Sequence, residues 1–117
     1  GGHIELDEDP NQAAIREAKE EVGLDIRLVG NQLSLKLSQD LISPLFINRH
    51  RVNETHEHVT FFFLAESDTN HLTPTTGREQ SEGARWFTAE ELEDPQFNVP
   101  EIMQHYAKRA LEIAATR

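Results

Sequence analysis

The chain has 117 residues, of which 37% are apolar and 27% charged, and carries a formal net charge of −10. That length suits one compact domain with a core of its own, and the acidic balance excludes a nucleic-acid polymer as partner, because a surface that tracks a phosphate backbone needs concentrated Lys and Arg. Cysteine is absent, so there is neither a disulfide framework nor a thiolate metal site, as expected of a cytoplasmic protein, and no apolar run approaches the roughly 18 residues of a membrane span.

Asp9, Pro10 and Gln12 open the first element. Asp9 is placed as N-cap, Pro10 at the first helical position and Gln12 to close a capping box, so a helix is predicted to about Val22, with Gly23 as its left-handed terminator. Leu24, Ile26 and Leu28 alternate with Asp25 and Arg27, and Leu33, Leu35 and Leu37 alternate with Ser34, Lys36 and Ser38. Each is the period of a half-buried strand. A short strand through Phe46 and Ile47 ends in the basic run Arg49, His50, Arg51. Val59 to Ala65 is apolar on both faces, as expected of a central strand covered above and below. After a polar loop, Arg85, Trp86 and Phe87 read as a short strand, with Trp86 in the core. Thr88 with Glu91, and Asn98 with Glu101, read as two more capping boxes. The final helix carries an apolar stripe of Ile102, Met103, Tyr106, Ala110 and Ile113. No internal repeat, linker or low-complexity run interrupts the chain.

The chemistry concentrates on the first helix. At about 100° per residue, Glu17, Glu20 and Glu21 fall within roughly 100° of its circumference, opposite Ile15, Ala18 and Val22. Like charges three and four apart each destabilise a helix by about 0.2–0.5 kcal/mol. Arg16, four residues before Glu20, relieves part of that, but one guanidinium cannot neutralise three acids. A hard divalent cation can, since Mg²⁺ prefers carboxylate and carbonyl oxygens and leaves positions for substrate phosphate. The plain alternative is a solvated acidic face. An EF-hand is excluded: Asp7, Asp9 and Asn11 match its first three ligand positions, but its turn glycine would fall on Gln12 and its bidentate glutamate on Ala18.

The spacing separates these alternatives. Gly2, five residues, Glu8, seven residues, then Arg16-Glu17-Ala18-Lys19-Glu20-Glu21-Val22-Gly23-Leu24 resembles the Nudix box, G-x5-E-x7-R-E-U-x-E-E-x-G-U with U apolar. Every fixed position matches, and seven identities at background frequencies near 7% arise by chance at on the order of 10⁻⁸ per starting position.

The resemblance implies an α/β (α+β) fold, an α/β/α sandwich on a mixed sheet. It implies hydrolysis of a diphosphate linkage in a nucleoside diphosphate derivative, with Mg²⁺ or sometimes Mn²⁺. By position, Glu17, Glu20 and Glu21 are the implied metal ligands, joined by a backbone carbonyl at Gly1 or Gly2. Arg16 would orient the glutamates, Glu8 would support them, and Gly2 and Gly23 would shape the loops. The general base is open between Glu21 and two glutamates of the loop before Trp86, Glu79 and Glu82. A Nudix-fold module that binds a nucleotide without turnover is the alternative. Relatives place strands ahead of the box, whereas this chain opens on Gly1 and has its only methionine at Met103. The expectation is therefore a single Nudix domain over 1–117, incomplete at its N-terminus, with an open sheet edge that a homodimer could cover.

Other residues carry less. Arg49 and Arg51 are candidates to clamp a substrate phosphate, weighed against decoration of an edge strand. His56 and His58 share a strand face and could form a zinc pair, but no third ligand is apparent and an exposed strand edge is the simpler account. Phe61, Phe62 and Phe63 could stack a base, though core packing explains them better.

Overall fold

A computed structural model of the chain describes residues 2–73 and 84–117. It divides into two compact units, Gly1–Ala84 and Arg85–Arg117. The first holds α1 (Pro10–Val22), β1 (Ile26–Leu28), β2 (Phe46–Asn53), β3 (His56–Phe62) and β4 (Ala65–Ser67). The second holds α2 (Ala89–Leu92), a 3-10 turn (Pro95–Phe97) and α3 (Glu101–Ala115).

Helix α1 begins and ends as its sequence dictates. The Asp9 carboxylate accepts from the Gln12 backbone N–H at 2.8 Å, and the Gln12 side chain accepts from the Asp9 N–H at 3.0 Å. At the far end Gly23 turns left-handed with φ 73°, and its N–H donates to Lys19 O at 3.0 Å. Only glycine takes that conformation without penalty. Ala13 on α1 and Leu24 just beyond it are the buried apolar side chains of this unit among the described residues.

The strands pair antiparallel as two ladders, β1 with β4 and β2 with β3. In the first, Ile26 faces Ser67 and Leu28 faces Ala65. One further bond, Val29 N–H to Leu64 O at 2.8 Å, lengthens it. The second is a hairpin whose register pairs Phe46 with Phe62 and His50 with His58, with an irregularity between Arg51 and Asn53.

Three strand expectations change in the first unit. Leu33, Leu35 and Leu37 form no strand: all three are exposed, Leu37 almost completely. Their backbone is held locally, with the Leu33 N–H donating to the Asp40 carboxylate at 2.7 Å and the Gln32 amide to Asp40 O at 2.6 Å. Side-chain to backbone bonds of this kind replace a ladder that has no partner strand. The short strand expected through Phe46 and Ile47 is instead eight residues long and takes in the basic run, because β3 returns beside it. The stretch from Val59 is not covered on both faces: Val59 is 64% exposed and Phe61 40%, while Phe62 on the opposite face is half-buried.

In the second unit, Arg85 to Phe87 is not a strand, and Trp86 is exposed rather than in the core. The Arg85 guanidinium instead lies over the rings of Phe87 and Phe97, 4.8 and 4.2 Å from their centroids, and those rings meet edge to face at 5.4 Å. The Thr88 and Glu91 capping box forms as expected and opens α2. The box at Asn98 does not. Asn98 turns left-handed (φ 49°) to end the 3-10 turn, and Pro100 precedes α3 as an N-cap with no side-chain bond. Of the α3 stripe, Tyr106, Ala110 and Ile113 are half-buried and Ile102 and Met103 exposed.

Candidate metal and phosphate site

Arg16 is the hub of the acidic face. It projects from the middle of α1, and its guanidinium reaches acids on both sides of the helix start. Nε donates to Glu8 Oε2 at 2.8 Å and Nη2 to Glu8 Oε1 at 3.0 Å. Nη1 lies 3.1 Å from Glu17 Oε1 and 3.2 Å from Glu20 Oε2. Nη2 also donates to the carbonyl of His3 at 2.9 Å, and Glu5 approaches Nε at 3.4 Å. The planar fork of arginine allows these contacts at once, which a lysine cannot reproduce.

Glu8 reaches Arg16 because the chain before α1 folds back in a tight turn. Asp7 is left-handed (φ 61°), a conformation a short acidic side chain tolerates. Across that turn the Glu5 N–H donates to Glu8 Oε1 at 2.9 Å. The hydrogen bond from Arg16, with the Glu5 N–H second, holds the Glu8 carboxyl below its ordinary range. The same pairing, led by Glu8, raises Arg16 further above its already high value.

Gly2 meets the site from the other side. A Cβ built on Gly2 would fall inside the Glu17 carboxylate. Any side chain there would therefore displace Glu17, so the first glycine of the box is required by close approach.

These residues fit a hard divalent cation by their chemistry: carboxylate oxygens on one helix face, beside a backbone able to lie against one of them. The expected convergence of Glu17, Glu20 and Glu21 takes a different form. Among the described residues, no group of three His, Cys, Asp or Glu side chains is gathered as a metal cluster. Glu17 and Glu20 turn carboxylate oxygens toward Arg16. The side chain of Glu17 is only 17% exposed and that of Glu20 43%.

The remaining candidates lie apart. Arg49 and Arg51 sit on the face of the β2–β3 hairpin opposite His50 and His58, since side chains alternate along a strand. Glu57 holds Arg49 through two bonds, at 3.1 and 2.8 Å, and raises its pKa, while Arg51 donates to Glu54 O at 3.2 Å. Glu79 and Glu82 lie outside the described residues, as does Gly1.

Two contacts had no clear signal in the sequence. The Asn11 side-chain amide donates to Ile42 O at 2.9 Å while its oxygen accepts from the Ile42 N–H at 2.8 Å, pairing the start of α1 with a chain segment 31 residues away. Four imidazoles also cluster. The ring of His58 meets those of His56, His50 and His3 at 5.4, 5.7 and 6.1 Å, edge to face in each case. His56 and His58 were visible as a pair sharing a face, but the cross-strand register that brings His50 opposite His58 was not.

The chain is similar to known proteins over most of its length. The NUDIX domain family model matches residues 1–109. A solved hydrolase of the NUDIX family from Clostridium perfringens is 28% identical and superposes with a TM-score of 0.79, covering 97% of this chain and 78% of that one. No curated protein matches the chain. With every fixed position of the box filled and the family model spanning most of the length, the chain belongs to the Nudix family of hydrolases.

Proposed function

We propose that the protein hydrolyses a diphosphate linkage in a nucleoside diphosphate derivative, with Mg²⁺, or Mn²⁺ in its place, as cofactor. The observation that carries this reading is the Arg16 network, in which one guanidinium gathers Glu8 from the turn before α1 with Glu17 and Glu20 of α1, beside the backbone of Gly2. Glu17, Glu20 and Glu21, with the Gly2 carbonyl, are the residues that would hold the ion. When bound, the ion would offset the negative charge of the diphosphate, including the charge that develops on the leaving group. Arg16 directs the carboxylates, and Gly2 leaves room for the backbone to approach them. Glu21 is the proposed base for the attacking water, with Glu79 and Glu82 as the alternatives. Arg49 and Arg51 take no part in this proposal, because Glu57 and the Glu54 carbonyl engage them on the other face of the hairpin.

The test is release of nucleoside monophosphate or phosphate from a panel of nucleoside diphosphate derivatives, with and without Mg²⁺. Turnover should require the metal and fall by orders of magnitude in Glu20→Gln and Glu21→Gln. Undiminished turnover in both variants would remove the assignment. Nucleotide binding without any turnover would make the protein a recognition module instead.

A further inference from the structure

We propose that His58, on β3, is a positioning residue for the acidic site and acts through His3. The proposal rests on the metal-dependent reading above and names a part of that site outside the box.

Residues 2–5 have neither helix nor strand structure to hold them. Yet Gly2 must lie against the Glu17 carboxylate, and the His3 carbonyl must stay within reach of Arg16. Glu5 is tied to Glu8 through its N–H, which fixes one end of the segment. At the other end the described side-chain contact is the His3 ring, which stands edge-on to His58 with 6.1 Å between centroids and 83° between planes. Aromatic pairs favour this arrangement.

His58 is well placed to serve as a fixed wall. It is half-buried, whereas His3, His50 and His56 are exposed. Its backbone lies in the β2–β3 ladder opposite His50, and the rings of His50 and His56 meet it at 5.7 and 5.4 Å, nearly perpendicular to it. The imidazoles meet edge to face, the geometry of aromatic packing surfaces. A chain of contacts therefore runs from the hairpin to the acids: His58 ring to His3 ring, His3 carbonyl to Arg16, and Gly2 to Glu17. Residues that orient metal ligands from behind typically change metal affinity or activity by about 10–100-fold when lost.

The experiment titrates the full chain with Mg²⁺ alone, followed by the rise in melting temperature that a bound ion produces. Wild type is compared with His58→Ala, His3→Ala, the double variant, His58→Phe, and His105→Ala as a control on α3. The expected result is roughly tenfold weaker Mg²⁺ binding in His58→Ala and in His3→Ala, recovery in His58→Phe, and no change in His105→Ala. The two alanine losses should not add, because each breaks the same contact. If wild type responds to Mg²⁺ but His58→Ala titrates like it, or the two losses add in full, His58 does not act through His3 and the proposal falls while the site reading stands. If wild type shows no response to Mg²⁺ at all, the site reading falls and takes the proposal with it.

Discussion

Arg16 and Glu8 meet through two hydrogen bonds of 2.8 and 3.0 Å, although seven residues of turn and helix separate them. Glu8 therefore anchors the guanidinium that in turn contacts Glu17 and Glu20. Removing either partner should disturb the acidic face without touching the proposed base. Arg16→Lys and Glu8→Gln are each expected to lower metal-dependent turnover by about 10–100-fold. Lysine keeps the charge but not the fork, and glutamine keeps the shape but not the charge. Steady-state rates at saturating Mg²⁺, with helix content checked by circular dichroism, decide the matter. Wild-type rates in both variants would mean that the network is not needed.

Gly2→Ala tests the close approach to Glu17. The added methyl occupies the space of the carboxylate, so Glu17 must swing away or residues 2–5 must lift. Mg²⁺ affinity should fall by about 10–100-fold, measured by titration calorimetry, with little change in metal-free melting temperature because Gly2 is exposed. An affinity equal to wild type would show that the approach has no bearing on the metal.

Gly23→Ala should destabilise the fold by about 1–3 kcal/mol from the left-handed backbone alone. The loss should be larger in practice, because a Cβ there would run into the carbonyl of Thr73. Thr73 cannot easily retreat, since its N–H donates to Val22 O at 2.7 Å and ties this segment to the end of α1. Urea unfolding should show the shift in midpoint. A loss within that range and no larger would mean that the Thr73 segment gives way freely, and a loss below it would mean that the left-handed backbone carries no penalty here.

Asn11→Ala removes both bonds to Ile42 and leaves a part-buried backbone N–H and carbonyl without their partner. A loss of about 1–3 kcal/mol is expected. Amide exchange should quicken at Ile42, while the ladder amides of β2 and β3 keep their protection. Uniform loss of protection across the first unit would instead make Asn11 part of its global core.

The second unit offers a pH test of its own. The Thr88 N–H, 2.9 Å from Glu91 Oε1, is the first cause that holds the Glu91 carboxyl below its ordinary range, and Arg85 at 2.9 Å adds to it. A depressed folded pKa means the carboxylate contributes stability above the unfolded value, and that contribution disappears as pH falls through the folded one. Wild type should therefore melt above Glu91→Gln at neutral pH, with the gap closing in acid. A gap that stays constant with pH would assign the stabilisation to hydrogen bonding alone.

The local signals in the sequence were those whose causes lie within a few residues. The Asp9 and Gln12 box, Pro10 at the helix start, Gly23 at its end, and the Thr88 and Glu91 box all form as their spacing requires, because each closes bonds with its own neighbours. The Nudix box was legible for the same reason: its residues sit on one short helix and the loops beside it, and the family follows from it. Where the partner lay far along the chain, the pattern misled. Leu33, Leu35 and Leu37 have a strand's alternation but no strand beside them, and Val59 has an apolar sequence on a face that stays exposed. Two relationships belong to tertiary structure alone, Asn11 with Ile42 and His3 with His58, and the closeness of Gly2 to Glu17, which the box implied only as a shared ligand set, is a third that the fold decides. Each joins segments that no periodicity connects. Side-chain spacing along a chain determines which face a residue occupies, and only the folded backbone determines what that face meets.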